Sequence, residues 1–247
     1  MTAAGGWYPV ALAGGVEAGT SNGMHLRGEE IVVWRDAAGA AHIWDDRCPH
    51  RGMRLSFGFV RGDRIACLYH GWQYGADGSC LAIPAHPGLQ PPVTIVAERR
   101  DRVEALGMIW AGSAGEPGRP PVPEETVGQT VTPIRSLHVD RPLEDVAARL
   151  AAFDLPPFHP DLAEGARRGA RRDGPLVIVT AEKGYVAETL IAGLQPLDHG
   201  HTAVHLAMAA NVGDHRGPGQ AHFARLAELF RHVVESEAMS AASERAA

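Results

Sequence analysis

The sequence is short of cysteine: 247 residues contain three, Cys48, Cys67 and Cys80. Two of them sit beside histidines in short motifs, and the one left over cannot build a disulfide framework. Long hydrophobic runs are also lacking, and no apolar stretch approaches the length that crosses a bilayer. The first residues, Met1-Thr2-Ala3-Ala4-Gly5-Gly6, offer neither the basic residue nor the apolar core of a signal peptide. Basic charge is in deficit, with 23 Lys and Arg against 29 Asp and Glu and a net charge of −6. That leaves no basic footprint for nucleic acid. These shortages together lead us to expect a cytoplasmic protein with no membrane or nucleic-acid partner, in a reducing compartment where thiolates can serve as metal ligands.

What is present is an ordinary globular composition, 45% hydrophobic and 21% charged. The length allows one large domain or two modest ones. Residues 7–111 read as all-β. Strand signals fall at 7–10, 31–34 and 42–44, with the turn Asp36-Ala37-Ala38-Gly39 between the last two. More follow at 65–69, at 73–74 and 80–83 as a hairpin, and at 93–99 and 106–110. Short strands broken by Gly and Pro suggest a small sandwich or barrel. Residues 112–133 form a linker whose first part, 113–123, is rich in Pro and Gly and therefore stiff and extended. Residues 134–247 read as α+β. A helix is expected over 142–153, with Leu143, Val146, Leu150 and Phe153 on one side. The arginine-rich stretch 164–173 reads as a solvated loop. Strands follow at 176–181, 185–191 and 202–209. A last amphipathic helix runs from about 221 to 237, burying Phe223, Leu226, Leu229, Phe230 and Val233.

The chemistry is concentrated between Cys48 and Trp72. Cys48-Pro49-His50 offers a thiolate and an imidazole, and Cys67-Leu68-Tyr69-His70 offers another pair. Two Cys and two His can hold a tetrahedral zinc. They can equally hold a Rieske [2Fe–2S] cluster, with two thiolates on one iron and two imidazoles on the other. Structural zinc sites favour cysteine-rich sets. The mixed order Cys-x-His and Cys-x-x-His suits two unlike irons, one that stays ferric and one that takes the electron. Gly52 and Gly71 follow the histidines closely, as expected where two loops bend tightly around a metal site.

The flanking residues extend the pattern. Asp45-Asp46-Arg47-Cys48-Pro49-His50-Arg51-Gly52 and Cys67-Leu68-Tyr69-His70-Gly71-Trp72-Gln73-Tyr74 resemble the N-terminal domain of the Rieske non-haem iron oxygenases, the aromatic-ring-hydroxylating and demethylating α-subunits. The resemblance implies an all-β Rieske domain, followed by a truncated α+β domain of helix-grip type. It implies Cys48, His50, Cys67 and His70 as cluster ligands, with Arg51, Gly52, Tyr69, Gly71 and Trp72 around the cluster. In the respiratory and photosynthetic members of the superfamily each loop adds a cysteine. Those positions look like Arg51 and Tyr69 here, so no disulfide is expected. A serine that donates to a cluster sulfur there is replaced at Trp72. Fewer donors leave the potential low, near the bottom of the Rieske range at about −150 mV. His25, His42 and His86 read as surface or satisfied core histidines, Cys80 as a small buried hydrophobe, and Trp44, Tyr69, Trp72 and Tyr74 as packing.

In that family the second domain holds one Fe(II) on two histidines and a carboxylate, leaving positions open for O₂. The corresponding motif is missing here. Ala152-Phe153-Asp154-Leu155-Pro156-Pro157-Phe158-His159-Pro160 looks like a shortened remnant, in which His159 could match one ligand and Asp154 an electron-passing carboxylate. Glu235 or Glu237 falls near the expected carboxylate. His199, His201 and His205 share a face by parity, but the turn signal at Asp198-His199-Gly200 favours a polar face of an edge strand over a metal group. The resulting expectation is one [2Fe–2S] cluster per chain and a doubtful mononuclear iron. The chain would carry single electrons from a flavin reductase or ferredoxin to an iron in a partner oxygenase subunit or another copy of itself. The alternatives are a self-sufficient hydroxylase or demethylase with an unorthodox iron site, and a redox-sensing module.

Overall fold

The structure, a computed structural model, describes residues 6–112, 118–211 and 215–246. Its N-terminal part is built from ten short strands: β1 (Tyr8–Leu12), β2 (Ser21–Leu26), β3 (Glu29–Arg35), β4 (Ala41–Asp45), β5 (Phe59–Arg61), β6 (Arg64–Ala66), β7 (Gln73–Gly75), β8 (Cys80–Ala82), β9 (Arg102–Ala105) and β10 (Met108–Ala111). They form three antiparallel sheets, in the orders β1-β10-β9, β2-β3-β4 and β5-β6-β7-β8. The turn between β3 and β4 forms where expected: the Asp36 carboxylate accepts from the Ala40 amide at 2.9 Å.

The C-terminal part contains β11 (Thr130–Val139), α1 (Leu143–Ala152), β12 (Arg167–Asp173), β13 (Leu176–Lys183), β14 (Val186–Pro196), β15 (Thr202–Ala210) and α2 (Pro218–Ala246). Its five strands make one antiparallel sheet, β11-β15-β14-β13-β12. Alternation along β14 and β15 divides their side chains between two cores. Leu190, Ala192, Leu194, Val204, Leu206 and Met208 join Val146 and Leu150 of α1 and Phe223, Ala227, Phe230 and Val234 of α2. On the opposite face, Ile191, Ala207 and Ala209 pack with Met108 and Trp110 of β10. The N-terminal part therefore covers one face of the large sheet and the helices cover the other. Gly193 permits this approach, because a Cβ there would lie 2.8 Å from Met108 Sδ and from Pro9 Cγ. Backbone bonds add to the join, with the amides of Arg27 and Gly28 donating to Pro196 O and Leu197 O, both at 2.7 Å.

Several expectations are corrected. Residues 164–173 are not a loop: β12 pairs with β13 along its whole length. Its arginines stay exposed because carboxylates of other elements meet them: Arg168 with Asp154, Arg171 with Glu125 and Arg172 with Glu144. A charged strand at a sheet edge also discourages further pairing. The stretch 93–99 makes only isolated bridges, Trp44 with Arg99 and Ser79 with Val96. The strand expected over 65–69 stops at Ala66, and the next residues turn. β2 and β11 were not read at all, and β11 begins at Thr130, inside the expected linker. Residues 113–117 of the Pro/Gly-rich strap lie outside the described residues. The last helix starts earlier and runs longer than expected, and Leu229 is half exposed on it, its place in the buried stripe taken by Ala227 and Val234.

Candidate metal centre

Two loops at one end of the N-terminal part carry the four candidate ligands, and they close in the same way. Gly52 N donates to Cys48 O at 2.8 Å, and Cys48 N donates to Met53 O at 2.8 Å. In the second loop Gly71 N donates to Cys67 O at 3.0 Å, and Cys67 N donates to Trp72 O at 2.9 Å. The unequal spacings Cys-x-His and Cys-x-x-His thus ride on one shared loop design. Both glycines have φ of +70°, a conformation costly for any residue with a Cβ. The first loop is pinned from behind by buried Asp46, which accepts from Ser56 N at 2.7 Å and Ser56 Oγ at 2.6 Å.

The loops turn their thiols inward and their imidazoles outward. Cys48 and Cys67 are 3% and 4% exposed, in a core with Trp44, Leu55, Ile65 and Tyr74. His50 is half-buried and His70 exposed, with ring centroids 4.8 Å apart. Trp72 lies parallel on His50 at 4.0 Å, and Tyr69 stacks on His70 at 3.9 Å. These aromatics cover the imidazole faces.

Burial pushes the Cys67 thiol up, and the neighbouring Cys48 adds to this against the amides of Tyr69 and His70. Such thiols lose their protons to solvent when a metal binds, rather than ionising on their own. Burial, with His70 and Arg51 nearby, pushes His50 down and keeps its imidazole neutral, as a ligand must be. Tyr74 is fully buried, and its hydroxyl lies 3.1 Å from Cys48 Sγ. Burial and that thiol push the phenol up, so it keeps its proton and is the donor once Cys48 is a thiolate. The donor set fits a two-iron centre with a thiolate end and an imidazole end.

Residues 6–95 match the family described as the Rieske [2Fe-2S] domain. The chain carries a Rieske domain. Such a domain implies a [2Fe–2S] cluster. The oxidoreductase NdmD of Pseudomonas putida is 36% identical over 115 residues, 46% of this chain and 20% of that protein. The oxygenase subunit of 3-chlorobenzoate-3,4-dioxygenase from Comamonas testosteroni is 35% identical over 106 residues, 42% of this chain and 24% of that protein. The alignments thus span a fifth to a quarter of these relatives. The Rieske part is homologous to that of oxygenase α-subunits, and the fold likeness extends further. Apo dicamba monooxygenase superposes with a TM-score of 0.74 at 18% identity, over 99% of this chain and 89% of that one. Pseudomonas putida NdmA gives 0.73 at 23% identity, over 93% and 80%.

The residues expected near a second iron are scattered. Asp154 is exposed and paired with Arg168 at 3.0 Å. His159 caps a short turn, its Nδ1 accepting from Asp161 N at 3.3 Å. Glu237 pairs with Arg149 on α1, and Glu235 is half-buried on α2 near Arg231. The histidine trio does not assemble either. His199 is exposed, and His201 binds Asp198 at 2.7 Å. The edge-strand reading is overturned, because β15 lies between β11 and β14 and its residues are buried. His205 is held between Ser136 Oγ at 2.7 Å on Nδ1 and Gln195 Oε1 at 2.8 Å on Nε2. Burial, with His138 nearby, pushes it down to about 3. An amide oxygen only accepts, so Nε2 carries the proton and Ser136 donates to Nδ1. Gln195 Nε2 in turn donates to His25 O at 2.7 Å, tying the sheet to the Rieske domain.

A buried Glu–His hydrogen bond lies outside every motif of the sequence. Glu188 accepts from His215 Nε2 at 2.5 Å and from the amides of Phe158 and His159 at 2.8 Å each. It anchors the segment that follows α1. Its signal was available: Glu188 shares inward parity with Val186 and Leu190 on β14. The space left beside it, lined by Leu155, Leu190, Met208 and Phe223, is about 10 Å³, room for about one water molecule.

Proposed function

We propose that this chain is the electron-carrying Rieske component of an oxygenase system. Cys48 and Cys67 would hold the inner iron and His50 and His70 the outer one. The carrying observation is the polarity of the site, with thiols in the core and imidazoles at the surface. When bound, the cluster supplies one-electron redox chemistry at low to moderate potential. The chain's own residues shape that chemistry. The Tyr74 hydroxyl would donate to the Cys48 thiolate, Trp72 and Tyr69 shield the imidazole faces, and the imidazoles remain open to a partner at their edges.

The electron source would be a flavin reductase or ferredoxin. The acceptor would be a mononuclear iron in a partner subunit or another copy of the chain. This destination is supported by the C-terminal part, where Asp154, His159 and Glu237 are each engaged with other residues and the space beside Glu188 has room for about one water molecule. A cytoplasmic site of action accords with the thiolate chemistry, and no helix among the described residues is long and apolar enough to cross a membrane.

Iron analysis of anaerobically prepared protein, combined with oxygen uptake, tests the proposal. About two irons per chain and a Rieske-type paramagnetic resonance signal on reduction support it. A third iron, with substrate-dependent oxygen uptake by the chain plus reductase alone, identifies a self-sufficient oxygenase instead.

A further inference from the structure

The chain between β8 and β9 follows β4 only briefly. The Asp45 amide donates to Glu98 O at 3.0 Å and the Arg100 amide to Ile43 O at 2.9 Å, after which the chain turns away into β9 and pairs with β10. The fork between β4 and β9 opens a cavity of about 630 Å³, within the roughly 300–1,000 Å³ of small-molecule sites. Asp77, in the turn at the end of β7 away from the ligand loop, lines its other side. His42 lies on its floor, 6% exposed and stacked on Trp34 with ring centroids 4.2 Å apart. His42 Nε2 is 3.0 Å from Asp36 Oδ2. Burial pushes the Asp36 carboxyl up, but His42 and the amides of Ala40 and Ala38 outweigh it and hold it below the usual range. Burial pushes His42 down by more than Asp36 raises it, and the charge of Arg102 adds to the fall. The neutral ring therefore donates from Nε2 to an ionised Asp36 and keeps Nδ1 as an acceptor. No protein donor meets that Nδ1 among the described residues.

The charged groups around this floor are of both signs. Arg100 is committed to Asp45 at 2.7 Å and Glu29 at 2.6 Å. Arg99 and Arg102 line the same cavity, are exposed, and form no ion pair among the described residues. Asp77, Glu98 and Asp101 add carboxylate oxygens around them. We propose that this cavity binds a sugar acid, a small polyhydroxylated monocarboxylate. Its carboxylate sits at Arg99 and Arg102, one hydroxyl donates to His42 Nδ1, and further hydroxyls donate to the carboxylates of the rim. Guanidinium groups without partners suit a carboxylate, and a hydroxyl is the ligand group that can donate to both an imidazole nitrogen and a carboxylate. A polyphosphate would meet three carboxylates, and an apolar acid would leave the acceptors of His42 and the rim without donors. The site goes beyond the electron-carrying role and stands whether or not that role holds.

D-Gluconate serves as the probe, titrated into the holoprotein by calorimetry at neutral pH and low salt. D-Glucose keeps the hydroxyls without the charge, and hexanoate keeps the charge without the hydroxyls. Gluconate should bind saturably and about tenfold tighter than either, the equivalent of one good polar contact. Arg102→Gln and Arg99→Gln should each weaken gluconate about tenfold. Arg225→Gln, an equal charge change at an exposed site on α2, should change it by less than twofold. Retention of the Rieske signal shows that a variant is folded, and Arg99→Gln decides the matter if Arg102→Gln fails to load its cluster. The floor contact is read without altering a buried residue: in ¹⁵N-histidine-labelled protein the His42 resonances should move with gluconate and stay in place with hexanoate. Absence of saturable binding overturns the proposal, as does equal affinity for hexanoate or glucose. Equal behaviour of the Arg99 and Arg225 variants overturns it too, as do unmoved His42 resonances.

Discussion

At the residue scale, Tyr74 changes the expectation for the metal centre. Replacement of a serine donor by Trp72 argued for a potential near the bottom of the Rieske range. The structure supplies a donor two residues further on, 3.1 Å from Cys48 Sγ. A hydrogen bond to a ligand sulfur stabilises the reduced, more negative state and raises the potential. Tyr74→Phe should therefore lower the midpoint by roughly 20–60 mV, the one-electron equivalent of a bond worth about 0.5–1.5 kcal/mol. Protein-film voltammetry of both proteins checks this, and an unchanged midpoint removes Tyr74 from the account. His50→Ala should abolish the Rieske resonance signal, and a surviving signal would mean that His50 is not a ligand. The four candidate ligands were legible because their chemistry is written in local spacing. Tyr74 was visible too, but its hydroxyl direction depends on the pairing of β6, β7 and β8, which no short motif encodes.

At the element scale, β14 and β15 show where sequence reading stops. Their existence followed from their apolar, β-branched content, but the face shared by His199, His201 and His205 did not form, because only His205 lies within β15. Which strand lay at the sheet edge was not readable, because that depends on β11 pairing across about seventy residues. β11 contains Pro133, where its register shifts, and it lacks a clean alternation. β12 was missed because its four arginines resemble a solvated loop until Asp154, Glu125 and Glu144 arrive from elsewhere. The central position of His205 has a consequence for stability. Its folded value is depressed from the usual 6.5 to about 3, so the unfolded chain binds the proton more readily. Its contribution is complete above about pH 6.5 and is lost as pH falls toward 3, by up to about 1.4 kcal/mol per pH unit. Denaturant titrations between pH 7 and 4 should show a shallower decline in His205→Gln than in the wild type. Parallel declines would mean that His205 is not held neutral.

Glu188 behaves in the same direction for a different reason. Its carboxyl is raised by burial but held below the usual range on balance by His215 and the amides of Phe158 and His159. A depressed acid stabilises the fold above its unfolded value, about 4.3, and that support disappears as pH falls through the folded value. Glu188→Gln should destabilise the protein at pH 7 by about 1–3 kcal/mol, and the difference from wild type should shrink below pH 4. A constant difference across that range would exclude an ionised Glu188.

At the scale of the whole molecule, the large sheet is the common floor on which two different parts are built. The Rieske domain occupies one face through β1 and β10, and α1 and α2 occupy the other. Gly193 sets how closely the first of these can sit. Gly193→Val should cost about 1–3 kcal/mol by overpacking against Met108 and Pro9, measured by chemical denaturation, and an unaffected stability would contradict the close packing. The sheet and the helices after residue 129 follow a change in composition along the sequence. The three-layer arrangement was not readable, since both faces of β14 and β15 are apolar and nothing local says which part covers which. The central claim is that this assembly holds one redox centre, with two cysteines on one iron and two histidines on the other. Mössbauer spectroscopy of reduced, ⁵⁷Fe-enriched protein tests it most directly. The expected spectrum resolves two unlike irons in equal amounts, a ferric one in a sulfur environment and a ferrous one with nitrogen ligands. A third high-spin ferrous component, or two equivalent irons, would contradict the account.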